Sequence, residues 1–185
     1  MNPDRLHFTG NDDADRLLAE EPLALLIGFA LDQQVTVQKA FSGPLELQRR
    51  LGGLDAAGLA ALDPERLDAV FRERPAIHRF PGNMAKRVQE LAMVVAEEYG
   101  GDAARVWLDA ADSDDLRRRI EGLPGFGEMK VKALASVLAR RFGLALAEPL
   151  VPDHAMLGDV DSPEALAKYQ AAKREYKASL RAAQA

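Results

Sequence analysis

The sequence predicts an all-α fold, on composition, periodicity and connection length. Alanine and leucine supply 58 of the 185 residues, against 16 for valine, isoleucine and threonine. Strong helix formers therefore far outnumber the β-branched residues that favour strands. Apolar residues recur at helical spacing, most clearly at Met84, Val88, Leu91, Ala92, Val95 and Tyr99, which predicts an amphipathic helix over 84–99. The connections between such stretches are short, as between antiparallel neighbouring helices.

Asn11-Asp12-Asp13 predicts a helix start, and Pro22 closes that helix or opens the next. Leu23 to Leu31 is apolar all round, the pattern of a helix central in the core. Gly43-Pro44 predicts a break in the segment that follows. Leu54 to Arg74 divides into two short helices, with Asp63-Pro64 as cap and first helical residue. Arg79 to Asn83 is predicted as a turn, and Gly100-Gly101 ends the 84–99 helix. Asp112-Ser113 opens a helix to about Glu121. Val131, Leu134, Ala135, Leu138 and Phe142 form the apolar stripe of the next helix, which Gly143 stops. Residues 144–162 are predicted as loop. Leu166, Tyr169, Ala172, Tyr176 and Leu180 mark a final amphipathic helix. The expected organisation is a central block over 25–142, with residues 1–24 and 143–185 forming a second lobe from both termini.

The absence of cysteine excludes disulfides, thiolate nucleophiles, thiolate zinc sites and cysteine-ligated iron–sulfur clusters. His7, His78 and His154 are scattered, so no metal or cofactor is expected. The longest apolar run, Leu23 to Leu31, is far shorter than the roughly 20 residues that span a bilayer. The opening MNPDRLHFTG lacks a basic-then-apolar signal pattern. A soluble cytoplasmic monomer with no membrane partner is expected.

The net charge is −5 and the sequence pI about 5.3, which taken alone argues against a nucleic-acid binder. The distribution is uneven. Residues 1–70 carry a net −6, residues 117–143 a net +5 and residues 163–185 a net +3. Local positive potential, rather than total charge, is what a polyanion meets. An ordinary solvated helical face explains the same distribution equally well.

The most specific motif is Leu123-Pro124-Gly125-Phe126-Gly127, a glycine-rich hairpin within 122–128 that joins two predicted helices. Two glycines let the backbone turn sharply and approach a ligand closely. The following helix starts at once, so its first N–H groups and the positive end of its dipole face the turn. This geometry suits a phosphate. Lys130 and Lys132, in the first turns, could add charge, and Phe126 could anchor the hairpin in the core. The alternative is an αα-hairpin turn with no ligand.

With this hairpin, Leu25 to Thr36 (LLIGFALDQQVT) and Arg79 to Arg87 (RFPGNMAKR), the chain resembles the helix-hairpin-helix DNA glycosylase superfamily, the endonuclease III-like enzymes. It looks like a short branch without the iron–sulfur cluster, and the resemblance covers roughly residues 20–160. It implies a two-lobed helical fold with a cleft between the lobes. The implied activity is base excision repair: a damaged base, such as an alkylated one, is flipped out of duplex DNA and its N-glycosidic bond hydrolysed. The implied location is the cytoplasm, associated with the nucleoid.

The resemblance also implies site residues. The catalytic carboxylate falls on Asp153, with Asp159 and Asp161 as rivals because the connection after Gly143 is longer than the family pattern. Leu123, Gly125, Gly127, Lys130 and Lys132 fall on the DNA-binding hairpin. Gln34 matches a glutamine that fills the gap left by the flipped base. The amine nucleophile of bifunctional relatives falls on Met129, which implies hydrolysis without strand cleavage. Trp107 and Met129 are candidates for the base pocket, although a lone tryptophan also suits a helical core. His78 and Phe80 could line the lobe interface or simply pack, and Arg117-Arg118-Arg119 could meet phosphates or form a solvated face. Two other functions remain open: a non-catalytic DNA-binding protein, and a helical interaction protein whose hairpin serves packing only.

Overall fold

The computed structural model describes residues 3–184, and every regular element among them is helical. Helix α1 (Asp12–Glu20) opens on Asn11, whose side chain accepts from the N–H groups of Asp13 and Ala14. Pro22 is the first residue of α2 (Pro22–Leu31), in which every residue from Leu23 to Leu31 is buried. Helix α3 (Val37–Leu51) is capped by Thr36 and closed by Gly52. Asp55 and Asp63 cap two short helices, α4 (Ala56–Ala61) and α5 (Pro64–Arg72). Helix α6 (Pro81–Glu98) is followed by one turn, α7 (Arg105–Leu108). Asp112 caps α8 (Ser113–Glu121), and α9 (Glu128–Arg140) follows the hairpin. Two 3-10 turns, Ala145–Leu150 and Leu157–Asp159, lead to α10 (Pro163–Ala183), capped by Ser162.

Helix α2 is the centre of the N-terminal half and packs against α1, α3 and α6, while α6 also covers α4 and α5. In the C-terminal half, α9 packs on α8 and on both 3-10 turns, and α10 rests on the second of these. Gln38 of α3 and Gln170 of α10 exchange two side-chain hydrogen bonds, at 3.2 and 2.7 Å. A chain of aromatic contacts joins the halves. Phe8 lies 5.1 Å from Phe41, Phe41 lies 5.0 Å from Phe29, and Phe29 lies 6.5 Å from Phe126 of the hairpin. The expected grouping of 1–24 with 143–185 as one lobe stays an expectation; α1 packs on α2 and α3.

Three local expectations are corrected. Gly43-Pro44 does not break its segment, because α3 runs through it. Phe41, Gly43, Pro44 and Leu47 are all buried, and a side chain at Gly43 would overlap Leu31 of α2. Tertiary burial thus outweighs the loss of one helical N–H donor. Pro81-Gly82-Asn83 is the first turn of α6 rather than a loop, with Pro81 at a position where its missing N–H is harmless. Residues 144–162 contain two 3-10 turns instead of continuous loop. No helix among the described residues is long and apolar enough to cross a membrane.

Candidate nucleic-acid interface

The hairpin is anchored by its apolar residues and open at Gly127. Leu123 and Phe126 are buried, and the Phe126 N–H donates to the Leu123 carbonyl at 3.1 Å. Gly125 has φ +82°, a left-handed conformation that side chains other than glycine adopt at a cost. Gly127 is the N-cap of α9 and offers no side chain to the helix. A Cβ at Gly127 would meet nothing within 4 Å. The N–H groups of Lys130 and Val131 bond back to the Gly127 carbonyl, each at 3.0 Å. Those of Glu128 and Met129 precede the helical ladder, and no cap takes them. They form an exposed pair of donors at the positive end of a helix.

The hairpin lysines lie in the first turns of α9, where the sequence placed them, and both amines are engaged within the protein. The Lys130 amine turns onto the Ala30 carbonyl at the end of α2, at 3.3 Å, and lies 5.7 Å from the Phe126 ring centroid. Burial pushes it down to about 8, against the pull of Asp32 and with the push of Arg87. Lys132 pairs with Glu128 one turn earlier, at 2.7 Å. That contact holds the Glu128 carboxyl below its usual range. Met129 is exposed.

A further cationic side chain, which the sequence reading left without a role, also lies at the hairpin. Arg87 of α6 reaches the hairpin, where a Cβ built on Gly125 would lie 2.6 Å from its Cδ. The Arg87 guanidinium donates to the Gln33 side chain at 3.1 Å. Gln33, Gln34, Phe80, Asn83, Lys86 and Arg87 line a cleft of about 430 Å³ beside the hairpin. Gln34 is exposed and is the one non-glycine residue with positive φ among those described, at +56°. Strained backbone of this kind persists where surrounding structure enforces it, often at a functional position. The 79–87 block and the DQQ turn were visible in the sequence; that Arg87 bridges them depends on tertiary packing.

The turn before α6 is fixed from below. His78 is buried. Its Nε2 lies 3.0 Å from the Leu31 carbonyl, and its Nδ1 accepts from the Phe80 N–H at 3.0 Å. The carbonyl and N–H together assign the proton to Nε2. Burial lowers the His78 pKa, and its hydrogen bonds only partly oppose this. His78 is thus a packing and positioning group, and Phe80 stands exposed at the cleft edge.

Next to Gln33, at the end of α2, lies a charged group that sequence reasoning missed. Asp32 ends α2, and burial raises its carboxyl, opposed by Lys173, Lys130 and Lys177. Tyr169 of α10 is pushed up to about 12 by burial and by Asp32. The DQQ block was the available signal, but nothing in the sequence placed α10 against it.

The remaining candidates are dispersed. Asp153 is exposed on a bend and carries no hydrogen bond or ion pair to the described residues. No helix starts at it, so it caps none. Asp159 accepts from the Met156 N–H at 2.8 Å and pairs with Arg140, a structural role. Asp161 is exposed, and Ser162, not Asp161, caps α10. Trp107 is buried in the core rather than offered to the cleft. Arg118 and Arg119 both pair with Asp115, at 3.4 and 2.8 Å. Comparison of the chain with family models, with curated proteins and with solved structures finds no match.

Proposed function

We propose that this protein binds duplex DNA through its hairpin and removes a damaged base as a monofunctional glycosylase. The observation that carries the reading is the 122–128 hairpin. Its turn glycine is left-handed, its following helix is uncapped by any side chain, and Arg87 lies across it. Backbone donors at a helix start, with a guanidinium beside them, suit a DNA phosphate. The adjoining cleft, with Gln34 at its edge, suits the space left when a base leaves the stack.

Asp153 is the carboxylate proposed for the chemistry. It would stabilise the oxocarbenium-like charge or orient a water. Water adds to C1′ as the glycosidic bond breaks; the base leaves protonated and an abasic site remains. With Met129 where bifunctional relatives have lysine, no covalent enzyme–sugar intermediate forms at that position. The exposed, unpartnered setting of Asp153 favours a second reading, a DNA-binding protein without base removal.

The test is a screen of duplexes carrying alkylated, deaminated and oxidised bases. Strand breaks that need alkali, and that disappear in Asp153→Asn, support the glycosylase. Tight duplex binding with no base released from any lesion supports the second reading.

A further inference from the structure

A second basic surface adjoins the cleft across the 78–81 turn. Lys39, Arg72, Arg74, His78, Arg79 and Pro81 line a shallow depression of about 890 Å³, and no acidic side chain lines it. Arg72, Arg74 and Arg79 are exposed. Arg72 pairs with Asp68 at 2.5 Å, whereas Arg74 and Arg79 have no carboxylate partner among the described residues. In a chain with net charge −5, such a concentration of unpaired cations is a local reversal of sign.

The loop that presents these cations is held by hydrogen bonds of the Arg50, Lys39 and His78 side chains. Arg50 has a side chain only 7% exposed. It donates to the carbonyls of Val70 at 2.7 Å, Glu73 at 2.9 Å and Pro75 at 2.7 Å. Lys39 donates to the Ala76 carbonyl at 2.6 Å, and His78 fixes the far end through Leu31 and Phe80. The Arg79 guanidinium rests 5.3 Å from the Phe80 ring centroid. A fixed loop with outward guanidinium groups loses little backbone freedom when it meets an anion. Phe80 lines the hairpin-side cleft and Pro81 the basic depression, so the two surfaces adjoin at consecutive residues.

We infer that this depression is a second phosphate-contact surface, on which Arg74 and Arg79 grip the backbone of the same duplex DNA that the hairpin holds. The inference rests on the DNA-binding reading above. Its occupant follows from charge complementarity and from its position next to the hairpin-side cleft. Phosphate contacts of this kind set register and affinity without reading sequence.

The test is duplex binding as a function of salt, for wild type, Arg74→Gln/Arg79→Gln and Arg74→Lys/Arg79→Lys. Each neutralised phosphate contributes roughly 0.9 to the slope of log affinity against log salt. The glutamine variant is expected to lose about 1.8 from that slope with its melting temperature unchanged, and the lysine variant to keep most of it. A glutamine variant with the wild-type slope overturns the inference and leaves the hairpin reading standing. A wild type that shows no salt-dependent duplex binding overturns both.

Discussion

Arg87 of α6 lies across Gly125 of the hairpin, so close that a Cβ there would sit 2.6 Å from its Cδ. The same guanidinium holds Gln33 at 3.1 Å, linking α6, the hairpin and the turn after α2. Gly125→Ala therefore meets two penalties. One is the left-handed backbone, about 1–2 kcal/mol; the other is displacement of Arg87. Urea denaturation should show a loss near that size, and duplex binding should weaken. Arg87→Ala, at a half-buried position, leaves the hairpin backbone unstrained and should weaken duplex binding with a smaller change in stability.

Gln34 pays for its positive φ in the folded state. Gln34→Gly removes that strain, partly offset by the greater freedom of glycine in the unfolded chain, for a net gain of up to about 1 kcal/mol. If the side chain enters the duplex, the same variant binds lesion-containing DNA more weakly. A denaturation curve and a binding titration on one variant would show stability and affinity moving in opposite directions.

His78 gives the fold a pH dependence of known sign. Its pKa is lowered in the folded state by burial, with Lys39 and Lys130 adding repulsion. The unfolded chain therefore takes up a proton first. Stability is full above about 6.5 and falls as pH drops through 6.5 toward the folded value. The urea midpoint should decline over this window, and the decline should shrink in His78→Asn. Asp15 and Asp32, whose carboxyls are raised by burial, act with the opposite sign, so the measurement belongs at the upper end of the window.

Lys130 is carried at a cost to stability. With its amine at about 8 against an ordinary 10.5, the unfolded chain binds more protons between those values, and stability rises as pH climbs through them. Lys130→Met keeps the apolar stem near Phe126 and removes the poorly solvated charge. Its melting temperature at neutral pH should exceed that of wild type. A lower one would mean that the bond to the Ala30 carbonyl and the attraction to Asp32 outweigh burial.

The helical class was legible because periodicity and capping are local. Asn11, Asp63 and Asp112 each cap the helix they were expected to start, and the all-apolar run of α2 is buried from Leu23 to Leu31. Gly43-Pro44 misled because a local breaker sits where α3 is held by burial against α2. Site geometry was less legible, since it depends on side-chain direction across elements. Spacing put Lys130 and Lys132 near the hairpin turn, but packing sends one to Ala30 and pairs the other with Glu128. Arg87 carried no local signal, because Gly125 and Gln33 lie 38 or more residues away; Arg50 offered only its pairing with Glu46 one turn earlier, while the carbonyls it holds lie 20 or more residues away.

The central claim is that the open N–H groups of the hairpin hold a DNA phosphate. Amide resonances followed by NMR during titration with duplex DNA test it most directly. The largest shifts are expected at Gly125, Gly127, Glu128 and Met129, diminishing as salt is raised. Saturable duplex binding that leaves those four amides unmoved would contradict it.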